Sequence, residues 1–132
     1  MSENRDPDAY MKKALESLAG AQSEFDQERF NNCANRAYYA AFQAAVSALL
    51  RDGIRRQDDK WPHTFVQSEF SGKLIQRRRR FPSRIGDTLA KVQLLRHRAD
   101  YRGVTINRSD ARLALRLGRE LVNIVGQGGE ET

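Results

Sequence analysis

Apolar residues recur every three or four positions through most of this chain, and no stretch alternates β-branched with polar side chains. A 3.6-residue period without a two-residue one predicts an all-α fold. Asp6 before Pro7 reads as a helix cap followed by proline at the first helical position, after which Tyr10, Ala14, Leu15, Leu18, Ala21 and Phe25 share one face. A second helix is expected over residues 28–51. There Phe30, Cys33, Ala34, Ala37, Tyr38, Ala41, Ala45, Ala48 and Leu49 form a stripe that Tyr39, Phe42, Val46 and Leu50 widen. Apolar on most sides, it should be the central helix.

Asp52-Gly53 closes that helix, and a polar loop runs to Lys60. His63, Val66 and Phe70, at i, i+3 and i+7, predict a short helix, after which Ser71-Gly72 should loosen the chain before residues 73–81. Pro82 is expected to open the next long helix, with Ile85, Leu89, Val92, Leu95 and Ala99 inside and an end near Asp100. A loop over 101–106 containing Gly103 then precedes a last helix starting near Asn107 or Ser109. Asp110 suits its first turn, and Ala111, Ala114, Leu115, Gly118, Leu121, Val122 and Val125 supply its inner face. Residues 126–132 are expected to be a disordered tail. Short connections make antiparallel neighbours. The predicted architecture is therefore an antiparallel up-and-down helical bundle of four main helices plus a short extra helix, one domain over residues 1–132.

At 132 residues, 39% apolar and 30% charged, the chain has the make-up of one globular domain. A chain of this length buries about two thirds of the surface its unfolded form exposes, enough to fold without disulfides or a structural metal. Cys33 has no second cysteine to bridge to, and no Cys/His cluster has zinc spacing, so no metal and no cofactor are expected. A lone cysteine also points to a reducing, cytoplasmic setting. No apolar run approaches the roughly 18 to 20 residues of a membrane span, and residues 1–8 are too polar for a signal peptide, so no membrane partner is expected.

Charge sharpens the picture. The formal net charge is +6, but residues 1–70 hold 9 basic and 11 acidic side chains while residues 71–132 hold 14 basic and 6 acidic. In the basic half only Lys73 and Lys91 are lysines, and the other bases are arginines. The guanidinium fork suits phosphate, so this asymmetry favours a polyanionic partner, nucleic acid ahead of a membrane surface.

Two strings then stand out. Asn35-Arg36-Ala37-Tyr38-Tyr39-Ala40-Ala41-Phe42-Gln43-Ala44-Ala45 lies in the second helix, and Leu95-Arg96-His97-Arg98-Ala99-Asp100-Tyr101 ends a later one. Between them, His63, Val66 and Phe70 give H-x-x-V-x-x-x-F. In this order the strings resemble the R-A-Y-Y-A-A-F, H-x-x-V-x-x-x-F and L-R-x-x-A-D-Y segments of the HEPN domain family, above all its small stand-alone prokaryotic members. The resemblance covers about residues 8–125. It implies an antiparallel helical bundle that forms a homodimer and is encoded beside a minimal nucleotidyltransferase, the two acting as toxin and antitoxin. Catalytic members are metal-independent ribonucleases whose motif is an arginine, four to six residues, then a histidine, with the site assembled from two copies. This chain departs from that motif: the fifth residue after Arg96 is Tyr101, and no histidine follows His97. Family antitoxins can adenylylate a tyrosine near the motif, which makes Tyr101 a candidate acceptor.

Helical spacing puts Arg96 and Asp100 four apart, and likewise His97 and Tyr101. Metal-free RNA cleavage needs a group to take the 2′-hydroxyl proton, a cation for the crowded phosphate and a donor to the leaving oxygen. His97 or Asp100 could be the base, Arg96 and Arg98 the cations, and Tyr101 the donor. The same residues also read as a salt-bridged helix end. His63 could reach Tyr38 or Tyr39, or serve only the start of its own helix. Asn35, Arg36 and Tyr39 facing the 96–101 turn would line a pocket with donors for phosphate or a nucleotide, with Arg36 the natural partner of the tyrosine hydroxyls. The alternative is a buried network that fixes helix register. Arg77, Arg78, Arg79 and Arg80, with Arg84 after Pro82, could track a phosphate backbone while Phe81 stacks a base. They could equally form a solvated face, with Phe81 a hydrophobic staple. Cys33 reads as a small apolar filler. The reading that results is a HEPN-like RNA- or nucleotide-binding protein, with the toxin-type ribonuclease as its sharper form and a non-catalytic protein-interaction module as its rival.

Overall fold

The first helix begins where its capping residue says it should. Asp6 lies in extended backbone, its carboxylate accepts from the Asp8 amide, and Pro7 needs no partner for the amide proton it lacks. This computed structural model describes residues 5–101 and 103–128, and among them every regular element is helical. The helices are α1 (Pro7–Asp26), α2 (Phe30–Arg51), α3 (His63–Glu69), α4 (Ile85–Asp100) and α5 (Arg108–Gly126). They form the expected all-α antiparallel bundle of four long helices and one short one. No helix among the described residues is long and apolar enough to cross a membrane.

Four boundaries differ from the sequence reading, each for a local reason. Glu28 adopts a left-handed φ of 60° in the tight α1–α2 turn, so α2 starts at Phe30 and not at residue 28. Ser71-Gly72 does not loosen the chain, because α3 passes without a break into a π-helical stretch, Phe70–Arg77. Its wider turn turns Phe70, Leu74 and Ile75 all inward, and it ends where Arg79 takes a φ of 51°. Pro82 opens a three-residue turn, with the Ile85 amide donating to the Pro82 carbonyl at 3.0 Å, and α4 itself begins at Ile85. Gly126 belongs to α5, which Gln127 caps; of the tail expected over 126–132, residues 129–132 lie outside the described residues.

The core is built around α2, which packs on α1, α5, α4 and α3. Its buried positions include Ala34, Ala37, Ala40, Ala41, Ala44, Ala45 and Ala48, small enough to let neighbouring backbones close in. Ser17 on α1 meets Gln43, and Asp8 meets Arg51, so α1 and α2 run antiparallel. The Cys33 thiol points at the Ala111 carbonyl and Ala37 sits under Gly118, so α2 and α5 run parallel, as diagonal members of an up-and-down bundle must. Asn107 caps α5 by accepting from the Asp110 amide at 2.8 Å.

Gly118 marks the closest approach. A Cβ there would lie 2.9 Å from the Ala37 carbonyl oxygen, a backbone atom that cannot step aside. Gly118→Ala should therefore destabilise the fold by about 1–3 kcal/mol despite alanine's better helix propensity. At Gly20 a Cβ would meet only the flexible end of Arg36, so Gly20→Ala should leave stability unchanged or raise it by up to about 1 kcal/mol. Urea midpoints of the two variants check the contrast, and equal midpoints would refute the close-packing account.

Candidate functional site

One strip of α2 stays uncovered. Asn32, Asn35, Arg36, Tyr39 and Gln43 recur at helical spacing between α1 and α4, which flank α2 without packing on each other. Together with Ser17 of α1 they line a polar groove of about 400 Å³. α4 contributes Arg96 and Asp100 to its edge, and α3 contributes His63 beneath it.

Arg96 is the centre of this arrangement. Its guanidinium carbon lies 5.0 Å from the Tyr38 ring centroid and 5.1 Å from that of Tyr39, so the cation rests against two aromatic faces. One amino group donates weakly to the Tyr39 hydroxyl at 3.5 Å. Nε lies 3.3 Å from Asp100 Oδ2, close enough for an ion pair but out of line for a hydrogen bond, so this buried N–H has no acceptor. The other Asp100 oxygen accepts from Asn35 at 3.5 Å. A cation held by rings beside one loosely placed carboxylate has the chemistry to pair with an anionic oxygen through its amino groups.

Under it sits an aromatic cluster. His63 Nδ1 and the Tyr38 hydroxyl are 2.6 Å apart, and the His63 ring packs on Tyr38 at 5.3 Å and on Phe42 at 4.5 Å. Burial pushes the Tyr38 phenol up to about 12, with Arg96 opposing and Tyr39 reinforcing. Burial first, then the positive fields of Arg96 and His97, lower the His63 pKa below 6.5. A protonated phenol and a neutral imidazole assign the hydrogen bond: the Tyr38 hydroxyl donates to Nδ1, and His63 carries its proton on Nε2.

The structure brings Asn35, Arg36, Tyr39, His63, Arg96 and Asp100 to this one region. It places His97, Arg98 and Tyr101 on the next face of α4, where with Val104 they line a shallow apolar depression of about 360 Å³. Tyr101 is 71% exposed, and Arg98 is paired with Asp110 of α5 at 3.1 Å. Arg36 is not the partner of either tyrosine hydroxyl. It extends over Gly20, because Tyr38 turns inward to His63 and Tyr39 turns to Arg96.

Arg77, Arg78, Arg79 and Arg80 lie elsewhere, at the far end of α2, about 20 Å along it from Tyr39. Two of them are committed to the fold: Arg78 reaches Asp52 Oδ2 at 2.6 Å and Arg80 reaches Oδ1 at 3.1 Å, tying the π-helical stretch to the C-cap of α2. Phe81 does not offer a ring for base stacking, being buried against Phe70 at 5.5 Å. Cys33 is buried and burial pushes its thiol up to about 11, as expected of a core filler. No group of three or more His, Cys, Asp or Glu among the described residues could hold a metal. Sequence reading missed Asn32 and Gln43, whose helical period with Asn35, Arg36 and Tyr39 was the available signal, and Ser17, which only the packing of α1 on α2 brings to the groove. It also missed Asn31, which holds the α4–α5 loop through the Val104 carbonyl and the Ile106 amide.

Compared with known proteins, the family model of the HEPN domain matches residues 8–128. No curated protein and no solved structure matches the chain significantly.

The neutral His63 has a stability consequence. In the unfolded chain a histidine titrates near 6.5, whereas in the fold it takes up its proton only at lower pH. As pH falls through 6.5 the unfolded state gains a proton that the native state refuses, so stability declines until the folded pKa is passed. His63→Gln keeps an acceptor for Tyr38 but cannot titrate. Urea midpoints at about pH 8 and about pH 5 should fall further for the wild type than for His63→Gln; parallel declines would remove His63 from the account.

Proposed function

Because this chain belongs to the HEPN domain family, its match covering most of its length, we propose that it binds RNA or nucleotides in the groove over α2. Arg96 grips a phosphate, Tyr39 offers a ring to a base, and Asn35 and Arg36 supply further donors. The observation that carries this reading is the Arg96 guanidinium held against two tyrosine rings with its buried Nε lacking an acceptor. A groove of about 400 Å³ suits a nucleotide-sized ligand. Asp100 and Asn35, both placed loosely at 3.5 Å, can turn to the ligand at little cost.

The sharper reading is a metal-independent ribonuclease, the toxin of a pair whose antitoxin is a minimal nucleotidyltransferase. It draws on the outer face of α4. Leu94 is 60% exposed, Tyr101 71% and Val104 40%, and His97 lies between them. A second copy docked there would bury this apolar stripe and bring two 96–101 turns together. His97 would then take the 2′-hydroxyl proton, with Arg96 and Arg98 facing the phosphate and Tyr101 donating to the leaving oxygen. Tyr101 is also open to an enzyme that adds a nucleotide to it, which intact mass after coexpression would register.

Purified protein, incubated with RNA in EDTA, separates the readings. Arg96→Ala should lose RNA binding by tenfold or more, and Tyr101→Phe should lose cleavage while keeping binding. Leu94→Arg should shift the protein toward monomer in sedimentation. Binding that survives Arg96→Ala unchanged would refute the groove. Bound but uncut wild-type RNA would leave a binding module without nuclease activity.

A further inference from the structure

We propose that the outward face of α5 is a second nucleic-acid contact, a ridge of arginines that follows the sugar-phosphate backbone of an RNA strand. Arg112, Arg116 and Arg119 are exposed at i, i+4 and i+7, with Arg108 one turn earlier. Each four-residue step advances about 6 Å along the helix, on the scale of the step between phosphates in a strand. This surface lies about a quarter turn around α5 from Ala111 and Gly118, which pack against α2; it borders α1 at Gln22 and Phe25, whereas the groove that Arg96 borders lies between α1 and α4.

Charge pairing sets this ridge apart from an ordinary solvated face. The acidic side chains of α5 are taken by other parts of the chain: Asp110 pairs with Arg98 of α4, and Glu120 with Arg84 in the turn before α4 at 2.8 Å. At the α1–α2 corner Glu28 is taken by Arg108 and Glu24 by Arg29, and Asp26 accepts from Gln22. Among the described residues Arg112 and Arg116 therefore have no carboxylate, and Arg119 reaches only the Gln22 side-chain oxygen, at 2.7 Å. Uncompensated cations in a row repel one another, a cost that an incoming polyanion removes.

The ridge is also partly preorganised. Arg112 stands 5.7 Å over the Phe25 ring, and Arg108 stands 5.7 Å over Phe25 and 5.2 Å over Phe30. Guanidiniums held over aromatic rings lose less freedom on meeting a phosphate, and the face of each turned away from its ring can take a base. A lipid surface fits less well. α5 exposes no large apolar side chain among its arginines that could enter the acyl region.

The test is fluorescence anisotropy of a labelled single-stranded RNA 15-mer, titrated across KCl concentrations with the wild type, Arg96→Ala, the triple variant R112Q/R116Q/R119Q, and K60Q/K91Q as an exposed-charge control. Arginine and glutamine have similar helix propensity, so the triple variant keeps its fold, which circular dichroism checks. At low salt the triple variant should bind at least tenfold more weakly. The slope of log affinity against log salt should fall by about 2, because each phosphate neutralised on a single strand contributes about 0.7. K60Q/K91Q should stay near the wild type. An unchanged slope, an equal loss in K60Q/K91Q, or a preference for vesicles containing phosphatidylserine that the triple variant abolishes would each overturn the ridge. Binding lost in Arg96→Ala but kept in the triple variant would leave the groove standing and remove the ridge, and the converse would do the opposite.

Discussion

The close approach of α2 and α5 at Ala37 and Gly118 is the constraint from which the rest of the molecule follows. With a glycine under a backbone carbonyl, the two diagonal helices of the bundle touch through small residues. That draws α1 and α4 in around α2 and buries it on nearly every side. What remains exposed along the middle of α2 is then one strip, and its polar side chains there face the groove, while Ser47 is buried and bonded to the Pro7 carbonyl. Asn32, Asn35, Arg36 and Tyr39 are thus gathered by packing, before any ligand is considered. The same closeness explains why Tyr38, one position from Tyr39, has a different fate: it faces inward, must satisfy its hydroxyl, and does so on His63.

The arginines divide by what they face. Arg78, Arg80, Arg84 and Arg98 each meet a carboxylate from another part of the chain, and these pairs join the π-helical stretch to α2 and α4 to α5. Exposed pairs of this kind contribute up to about 1 kcal/mol each, so they orient the elements more than they stabilise them. Their larger effect is on the charge field. By consuming Asp52, Asp110 and Glu120 they leave other guanidiniums uncompensated, and a sequence with a modest net excess of base presents locally strong positive surface.

Most of the fold was legible because period and caps agree: Asp6-Pro7, Asn107 with Asp110, and the apolar stripes each locate a helix end or face. The exceptions are places where backbone geometry depends on distant packing. Nothing in Ser71-Gly72 distinguishes a loosened chain from a π-helical turn, since the choice is made by the need to bury Leu74 and Ile75 against α2 and α4. At the site, helix spacing and the family strings identified Arg96, Asp100, Tyr39 and His63 as a group, but not who bonds to whom. Arg36 and Arg96 are both four or fewer residues from a plausible partner in sequence, and only the fold decides that Arg96 meets the tyrosines while Arg36 crosses Gly20. Phe81 shows the same limit: an aromatic beside four arginines reads as a stacking platform until its ring is found against Phe70.

Arg96 is an expensive residue for the fold to carry. Partly buried guanidiniums lose hydration, and a single off-line carboxylate recovers only part of it. Contact with two aromatic faces returns about 0.5–2 kcal/mol each, yet the buried Nε still has no acceptor. An apolar side chain at this position would pack between Tyr38 and Tyr39 without any of these costs. The geometry makes sense as a site prepared for an oxygen that the chain itself does not supply. The desolvation is spent in folding, the rings fix the direction of the cation, and the proposed binding of an anion would supply the hydrogen bond that the chain itself leaves unmade. His63 supports this from below without adding charge: held neutral, it accepts from Tyr38, fixes the ring that faces Arg96, and puts no second positive charge beside that guanidinium.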